Sequence, residues 1–167
     1  MVSWISIMSD EDLASLCATL TNNCVAMLSI NDIRVPGYVS VEEKFAFFVL
    51  PQQPHKIVKI RSGFFVLEDA EGNLEWQAQN EEHVFPFNAY LANDPAELNT
   101  PLYFGRVEID GIYFVGAVYE NGTFRLPISG IIYDLDRSDE MHSILVWKTA
   151  CKTDVQDLEN RMNAVSL

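Results

Sequence analysis

Few residues in this chain have the type and spacing that chemistry needs. Asp134-Leu135-Asp136-Arg137-Ser138 begins like a calcium loop, in which alternate oxygen-bearing side chains surround a hard cation. The sixth position of such a loop is glycine and the twelfth glutamate, whereas here they are Asp139 and Leu145, so the segment reads as a solvated acidic loop. His55, His83 and His142 stand at no ligand spacing from one another or from cysteine, and no metal site is expected. Cys17, Cys24 and Cys151 form no C-x-x-C pair, and an odd number cannot pair fully within the chain. A cysteine–histidine nucleophile lacks any local signature, and neither G-x-S-x-G nor a phosphate loop occurs, so the chain is read as a non-enzyme without a cofactor. Arg106 lies within an apolar strand-like run, where a buried guanidinium calls for a carboxylate such as Glu108 or a residue elsewhere in the chain. Asp94 stands directly before Pro95, as a turn residue does.

Short runs rich in Val, Ile, Phe and Tyr must position these residues. They span 24–30, 33–41, 45–50, 57–60, 64–68, 102–109, 112–119, 123–126, 130–133 and 143–148. Asp110-Gly111 and Asn121-Gly122 predict type I′ turns, because both dipeptides tolerate positive φ. Gly105 to Leu126 therefore reads as a three-stranded meander. Leu13, Leu16, Cys17 and Leu20 recur at helical spacing after the capping segment Ser9-Asp10-Glu11-Asp12, and predict a short helix. Val155, Leu158, Met162 and Val165 predict a C-terminal amphipathic helix over 149–167, its apolar face turned to the sheets or to a second copy of the chain.

The balance of 24 acidic against 11 basic residues gives a net charge of −13, which repels phosphate backbones and anionic lipid surfaces. A nucleic-acid partner is thereby excluded, and no apolar run reaches the length of a membrane span. The apolar start, Met1 to Met8, lacks a basic segment and runs into acidic residues, so a cytosolic location is expected, in keeping with unpaired cysteines.

An offset of 79 residues lays 24–69 on 103–148 without a gap, so that Ile30, Ile33, Gly37, Val39 and Phe45 meet Ile109, Ile112, Gly116, Val118 and Phe124. Asn31-Asp32 then falls on the turn Asp110-Gly111, and Phe65-Val66-Leu67 on Ile144-Leu145-Val146. Upstream, an offset of 71 to 72 brings Trp4 over Trp76 and Ala18 over Ala89. The expected fold is all-β and sandwich-like, one compact domain made of two antiparallel copies, 4–69 and 76–148, followed by the C-terminal helix.

The second copy, with Trp76, the segment Pro86 to Asp94, Pro101-Leu102-Tyr103-Phe104-Gly105-Arg106-Val107, Val115-Gly116-Ala117-Val118 and Ser143-Ile144-Leu145-Val146, resembles the DM-nine repeat of natterin-like and of insect and molluscan proteins. The resemblance covers most of 76–148 and, faintly, 4–69. It implies two related sheets about a pseudo-two-fold axis, and a more strand-like segment over 10–20 than the local periodicity gives. It also implies recognition of mannose-type carbohydrate through an Asp before the Leu-Tyr-Phe-Gly-Arg strand and a Lys after the later glycine. Asp94 matches that Asp, Asn23 takes its place in the first copy, and the Lys positions hold Tyr38 and Ala117. Tyr38 is the residue that would stack on a sugar face in their stead. The expected function is a binding module for carbohydrate or another surface ligand; the rival is a protein-interaction or scaffold role in which the sugar site has been lost.

Overall fold

A computed structural model describes residues 2–79, 85–93, 100–136 and 142–148. Short, largely apolar runs rich in β-branched and aromatic residues make strands of β1 (Ser3–Ile7), β2 (Cys24–Ile30), β3 (Ile33–Ser40), β4 (Phe45–Val49), β5 (Ile57–Ile60) and β6 (Phe64–Glu68). They form one antiparallel sheet in the order β1-β6-β2-β3-β4-β5. The second sheet contains β7 (Leu74–Ala78), β8 (Leu91–Asn93), β9 (Leu102–Ile109), β10 (Ile112–Tyr119), β11 (Phe124–Ile128), β12 (Ile131–Leu135) and β13 (His142–Trp147). Its order is β12-β11-β10-β9-β13-β7, with β8 beside β9. The fold is all-β with two antiparallel sheets and a single helix among the described residues. None of the helices there is long and apolar enough to cross a membrane. The C-terminal helix expected over 149–167 lies outside the described residues.

Read from its first strand, each sheet runs through the same sequence of strands, β1-β6-β2-β3-β4-β5 in one and β7-β13-β9-β10-β11-β12 in the other. Hairpin registers correspond too: Ala26 faces Gly37 as Gly105 faces Gly116, and Trp4 faces Leu67 as Trp76 faces Leu145. The gapless offset of 79 fails beyond β10. Four residues connect Ser40 to Phe45, whereas three connect Tyr119 to Thr123, so Ala46 rather than Phe45 takes the position of Phe124. Likewise Val66, facing Ala26, corresponds to Ile144, which faces Gly105.

Turn chemistry explains these connections. Asn31 and Asp32 both have positive φ (50° and 64°), as do Asp110 and Gly111 (52° and 81°), which suits two-residue hairpins. At Asn121-Gly122 only the glycine is left-handed (φ 94°), so the type I′ turn read from the sequence is instead a three-residue loop, tied by the Asn121 side chain accepting from the Thr123 N–H at 3.0 Å.

Helix α1 (Asp10–Thr19) follows the local periodicity rather than the strand implied by the resemblance. Ser9 Oγ accepts from the Asp12 N–H at 3.1 Å while Asp12 returns a carboxylate oxygen to the Met8 N–H at 3.0 Å, and this reciprocal cap fixes the start. Leu13, Leu16 and Cys17 then cover the outer face of the first sheet, against Ala26, Val39, Phe48 and Phe64. A second core lies between the sheets, built from Met27, Tyr38 and Phe47 on one side and Leu102, Phe104, Val115 and Ala117 on the other. On the far face of the second sheet Val118, Phe124, Leu126 and Ile144 pack under Phe85 and Ala89.

Gly37 and Gly116 occupy the same place in this scheme. A Cβ on Gly37 would collide with the Phe47 carbonyl, and a Cβ on Gly116 with the Arg125 carbonyl, its counterpart one strand over. Gly37→Ala and Gly116→Ala should therefore each lower stability by about 1–3 kcal/mol. Urea unfolding tests this, and midpoints unchanged from the parent would show that the strands part without cost.

Between the sheets, Asp69 clamps the connection by accepting from the Asn73 and Leu74 N–H groups, both at 2.8 Å. These bonds favour the ionised carboxylate and hold its pKa below the usual aspartate value. The stabilisation is complete above the pKa of unfolded aspartate, declines below it, and is gone beneath the depressed folded-state value. Asp69→Asn should thus be less stable than the parent at neutral pH, and the gap should close in acid; a gap independent of pH in paired urea titrations would contradict the clamp.

Candidate ligand-binding groove

The seam between the sheets is held by asparagine side chains that reach from one sheet to a hairpin of the other. Asn22 accepts from the Tyr113 N–H at 3.0 Å and donates to the Gly111 carbonyl at 2.8 Å. Asn23 donates to the Tyr113 carbonyl at 2.9 Å and accepts from the Val41 N–H at 3.0 Å. In the opposite direction Asn93, fully buried, accepts from the Arg34 N–H at 3.2 Å. Asn22 and Asn93 stand 71 positions apart and their targets Arg34 and Tyr113 stand 79 apart, so the two contacts correspond as the strands do.

Of the residues that the sequence proposes for a sugar site, Asn23 and Tyr38 meet in one cleft of ≈420 Å³, with Ser40, Glu43, Ile112 and Phe114 also on its walls. Asp94 lies outside the described residues. Both ends of the Asn23 carboxamide are engaged in the seam. Tyr38 is only 2% exposed and its hydroxyl donates to the Pro127 carbonyl at 2.6 Å. Its ring lies on Phe47 at 5.4 Å and meets the edge of Phe114 at 5.5 Å, and burial raises its pKa. It thus serves as a strut between the sheets, with no ring face left for a sugar. At the other position that the resemblance assigns to lysine, Ala117 is buried in the same core.

A second opening lies where the two sheets differ at matched positions. Trp4 packs on Phe104 at 5.6 Å and donates its indole N–H to the Tyr90 hydroxyl at 3.1 Å. At the corresponding positions around Trp76, the small residues Thr19 and Val25 replace Tyr90 and Phe104. The Thr19 hydroxyl turns back to the Leu16 carbonyl at 2.8 Å. The space left is a groove of ≈370 Å³ with Thr19, Thr21, Asn22, Trp76, Arg106 and Tyr113 among its walls.

Arg106 occupies the position of Met27 and lies against two rings, its guanidinium 4.6 Å from the Trp76 centroid and 4.1 Å from that of Tyr113. The register explains this: Tyr113 is its diagonal neighbour across the β9–β10 hairpin, and the short Ser143 opposite leaves the way open to Trp76. The carboxylate partner expected from the sequence is therefore replaced, among the described residues, by aromatic faces. Desolvation lowers the Arg106 pKa, and the nearby Tyr113 and Glu108 oppose that shift. The group remains a cation at any physiological pH. Its other edge borders an opening of ≈470 Å³ walled by Glu108, Asp110 and His142.

Other candidates resolve into structure. Burial pushes the Cys24 thiol up to about 12 and raises that of Cys17, which leaves both as poor nucleophiles. Asp134 pairs with Arg125 at 3.0 Å, while His142 is buried and stacks on Phe124 at 5.5 Å. No group of three or more His, Cys, Asp or Glu side chains gathers into a cation site among the described residues. The Trp76–Arg106–Tyr113 stack was not reached by sequence reasoning, although Trp76 and Arg106 both stood out there. The signal that would have found it is the replacement of Tyr90 and Phe104 by Thr19 and Val25 at matched positions.

The fold and this groove define a two-sheet β protein with a polar, aromatic-walled recess beside its sheet seam. No protein-family model matches the chain, and no curated protein matches it.

Tyr38→Phe would leave the buried Pro127 carbonyl without its donor and should cost about 1–3 kcal/mol in chemical unfolding. Asn23→Asp, which installs the aspartate of the resembled repeat, should also destabilise, since a carboxylate would then face the Tyr113 carbonyl in place of an N–H. A variant as stable as the parent would show that this seam bond is dispensable.

Proposed function

We propose that this chain is a non-enzymatic binding module that recognises carbohydrate or another surface ligand, and that its two sheets are diverged copies of one DM-nine-like repeat. The observation that carries the reading is the open groove beside Trp76, in which cation, indole and phenol line a recess that the matched position fills with Tyr90. Matching strand orders and the matched collisions at Gly37 and Gly116 support the duplication. Free, poorly reactive thiols at Cys17 and Cys24 suit a binding protein in a reducing compartment such as the cytosol.

The rival reading, a protein-interaction or scaffold role with the ancestral sugar site lost, draws support from the other cleft. There the Asn23 carboxamide and the Tyr38 hydroxyl are spent on the protein's own backbone. A site of the mannose type would lack its charged hydrogen bonds, each worth roughly 1.5–3 kcal/mol, and so should hold free mannose only in the millimolar range or weaker. A glycan array followed by NMR titration of the purified protein tests both readings. Retention of glycans together with shifts at the groove is the expected result; submillimolar mannose binding that shifts Asn23 and Tyr38 would return the site to the seam cleft, and an array with no retained glycan would favour the scaffold role.

A further inference from the structure

The groove beside Arg106 combines a guanidinium with the hydroxyls of Thr19, Thr21 and Tyr113 and the Trp76 indole. Among the described residues, no protein oxygen accepts from the Arg106 guanidinium, whose contacts are the two ring faces. The Trp76 indole N–H and the Thr21 hydroxyl also have no hydrogen-bond partner there. The nearby carboxamides are already committed, Asn22 to Tyr113 and Gly111 and Asn23 to Tyr113 and Val41. The wall hydroxyls can answer a sugar's O–H donors, but the guanidinium donates only, and an ionised carboxylate, which accepts only, is the group that meets it.

Shape narrows the choice further. With two rings 4.6 and 4.1 Å from the guanidinium, its N–H edge is what it can offer a ligand, and a planar carboxylate meets that edge with two parallel bonds. A tetrahedral phosphate or sulfate can pair with the same edge, but two of its oxygens then stand out of the guanidinium plane, where a planar carboxylate has none. Charge sets the side of entry. Glu108 and Asp110 rim one opening beside Arg106, while the walls on the Thr19–Asn22 side contain no carboxylate. With ≈370 Å³, that second recess falls within the size range of small-ligand sites, and its ring walls suit the C–H face of a sugar.

Resting on the carbohydrate-binding reading above, we propose that the Trp76–Arg106–Tyr113 stack is the recognition point for a carboxylate-bearing sugar, a hexuronate unit whose carboxylate bonds the free edge of Arg106 from the Thr19–Asn22 side.

The test is titration of the full chain with glucuronate, with glucose, acetate and inorganic phosphate as comparison ligands, followed through the indole N–H resonance of Trp76. Glucuronate should shift that resonance, and glucose and phosphate should not do so at the same concentration. Arg106→Lys, which keeps the charge but loses the planar fork, should weaken glucuronate binding by about tenfold or more. Thr19→Tyr should abolish it by filling the groove as Tyr90 fills the matched position, and this variant leaves the stack intact should replacement of Arg106 disturb folding. Glucuronate binding that survives Thr19→Tyr, or a phosphate affinity equal to that of glucuronate, would overturn the proposal. Neutral glycans bound independently of Arg106 would overturn the uronate assignment while the binding-module reading stands. Acetate held by Arg106 with no affinity for glucuronate would overturn the sugar assignment together with the carbohydrate reading.

Discussion

Each sheet is apolar on both faces, and the rest of the architecture follows from how those four faces are kept from water. Packing the sheets together buries Tyr38, Phe47, Phe104 and Leu102 but leaves Phe48 and Phe64 on one outer face and Phe124 and Leu126 on the other. A two-layer sandwich would strand these large side chains in solvent, a loss on the order of 2 kcal/mol each. The chain therefore needs an outer cover on each side. On the first sheet α1 provides it, inserted between the edge strand β1 and the central β2; on the second, the segment bearing Phe85 and Ala89 occupies the matching place in the order of the chain.

Matched positions diverge in ways that conserve volume where the core is closed and fail to conserve it where the groove opens. In the outer core, Ala26 and Ala46 of the first sheet correspond to Gly105 and Phe124 of the second. A Cβ on Gly105 would meet the Phe124 ring at 2.6 Å, so the glycine is what admits the larger partner. Around the two tryptophans no such exchange occurs. Thr19 and Val25 both shrink relative to Tyr90 and Phe104, and Arg106, longer than the Met27 it matches, refills only part of the space together with Tyr113. A closed aromatic cluster in one half thus becomes a recess in the other.

Local signals carried much of the fold in the sequence, and long-range ones carried less. The hairpins at Asn31-Asp32 and Asp110-Gly111, the cap at Ser9 and the runs that became β2, β5, β6, β9 and β10 are decided by neighbours a few residues apart. β1, β7 and β8 were not read as strands, because each is short and owes its pairing to β6, β13 or β9 far along the chain. The one-residue difference between the two β3–β4 type connections is invisible to a gapless offset, and it displaced Phe124 from Ala46 to Phe45. At the site, Tyr38 looked available because alternation assigns it a face without saying that the face is covered. Only the crossing of β3 against the second sheet turns it into a strut.

A net charge of −13 argues against anionic partners in general, yet it does not reach into the groove. Surface charges are screened over about 8 Å at physiological ionic strength, while a half-buried cation interacts in a medium of much lower dielectric than water. The long-range field therefore slows the approach of polyanions such as nucleic acids, whose many charges each feel it. In the proposed recognition a single carboxylate would feel little of that field and gain most of its interaction at the Arg106 edge, beside the Trp76 and Tyr113 rings. The two ring contacts also restrict the Arg106 side chain before any ligand arrives, so less side-chain freedom remains to be lost on binding. If Arg106 binds the proposed carboxylate, acidic bulk charge and this ring-flanked cation together would sort anions by multiplicity, admitting the isolated charge and discouraging the polymer.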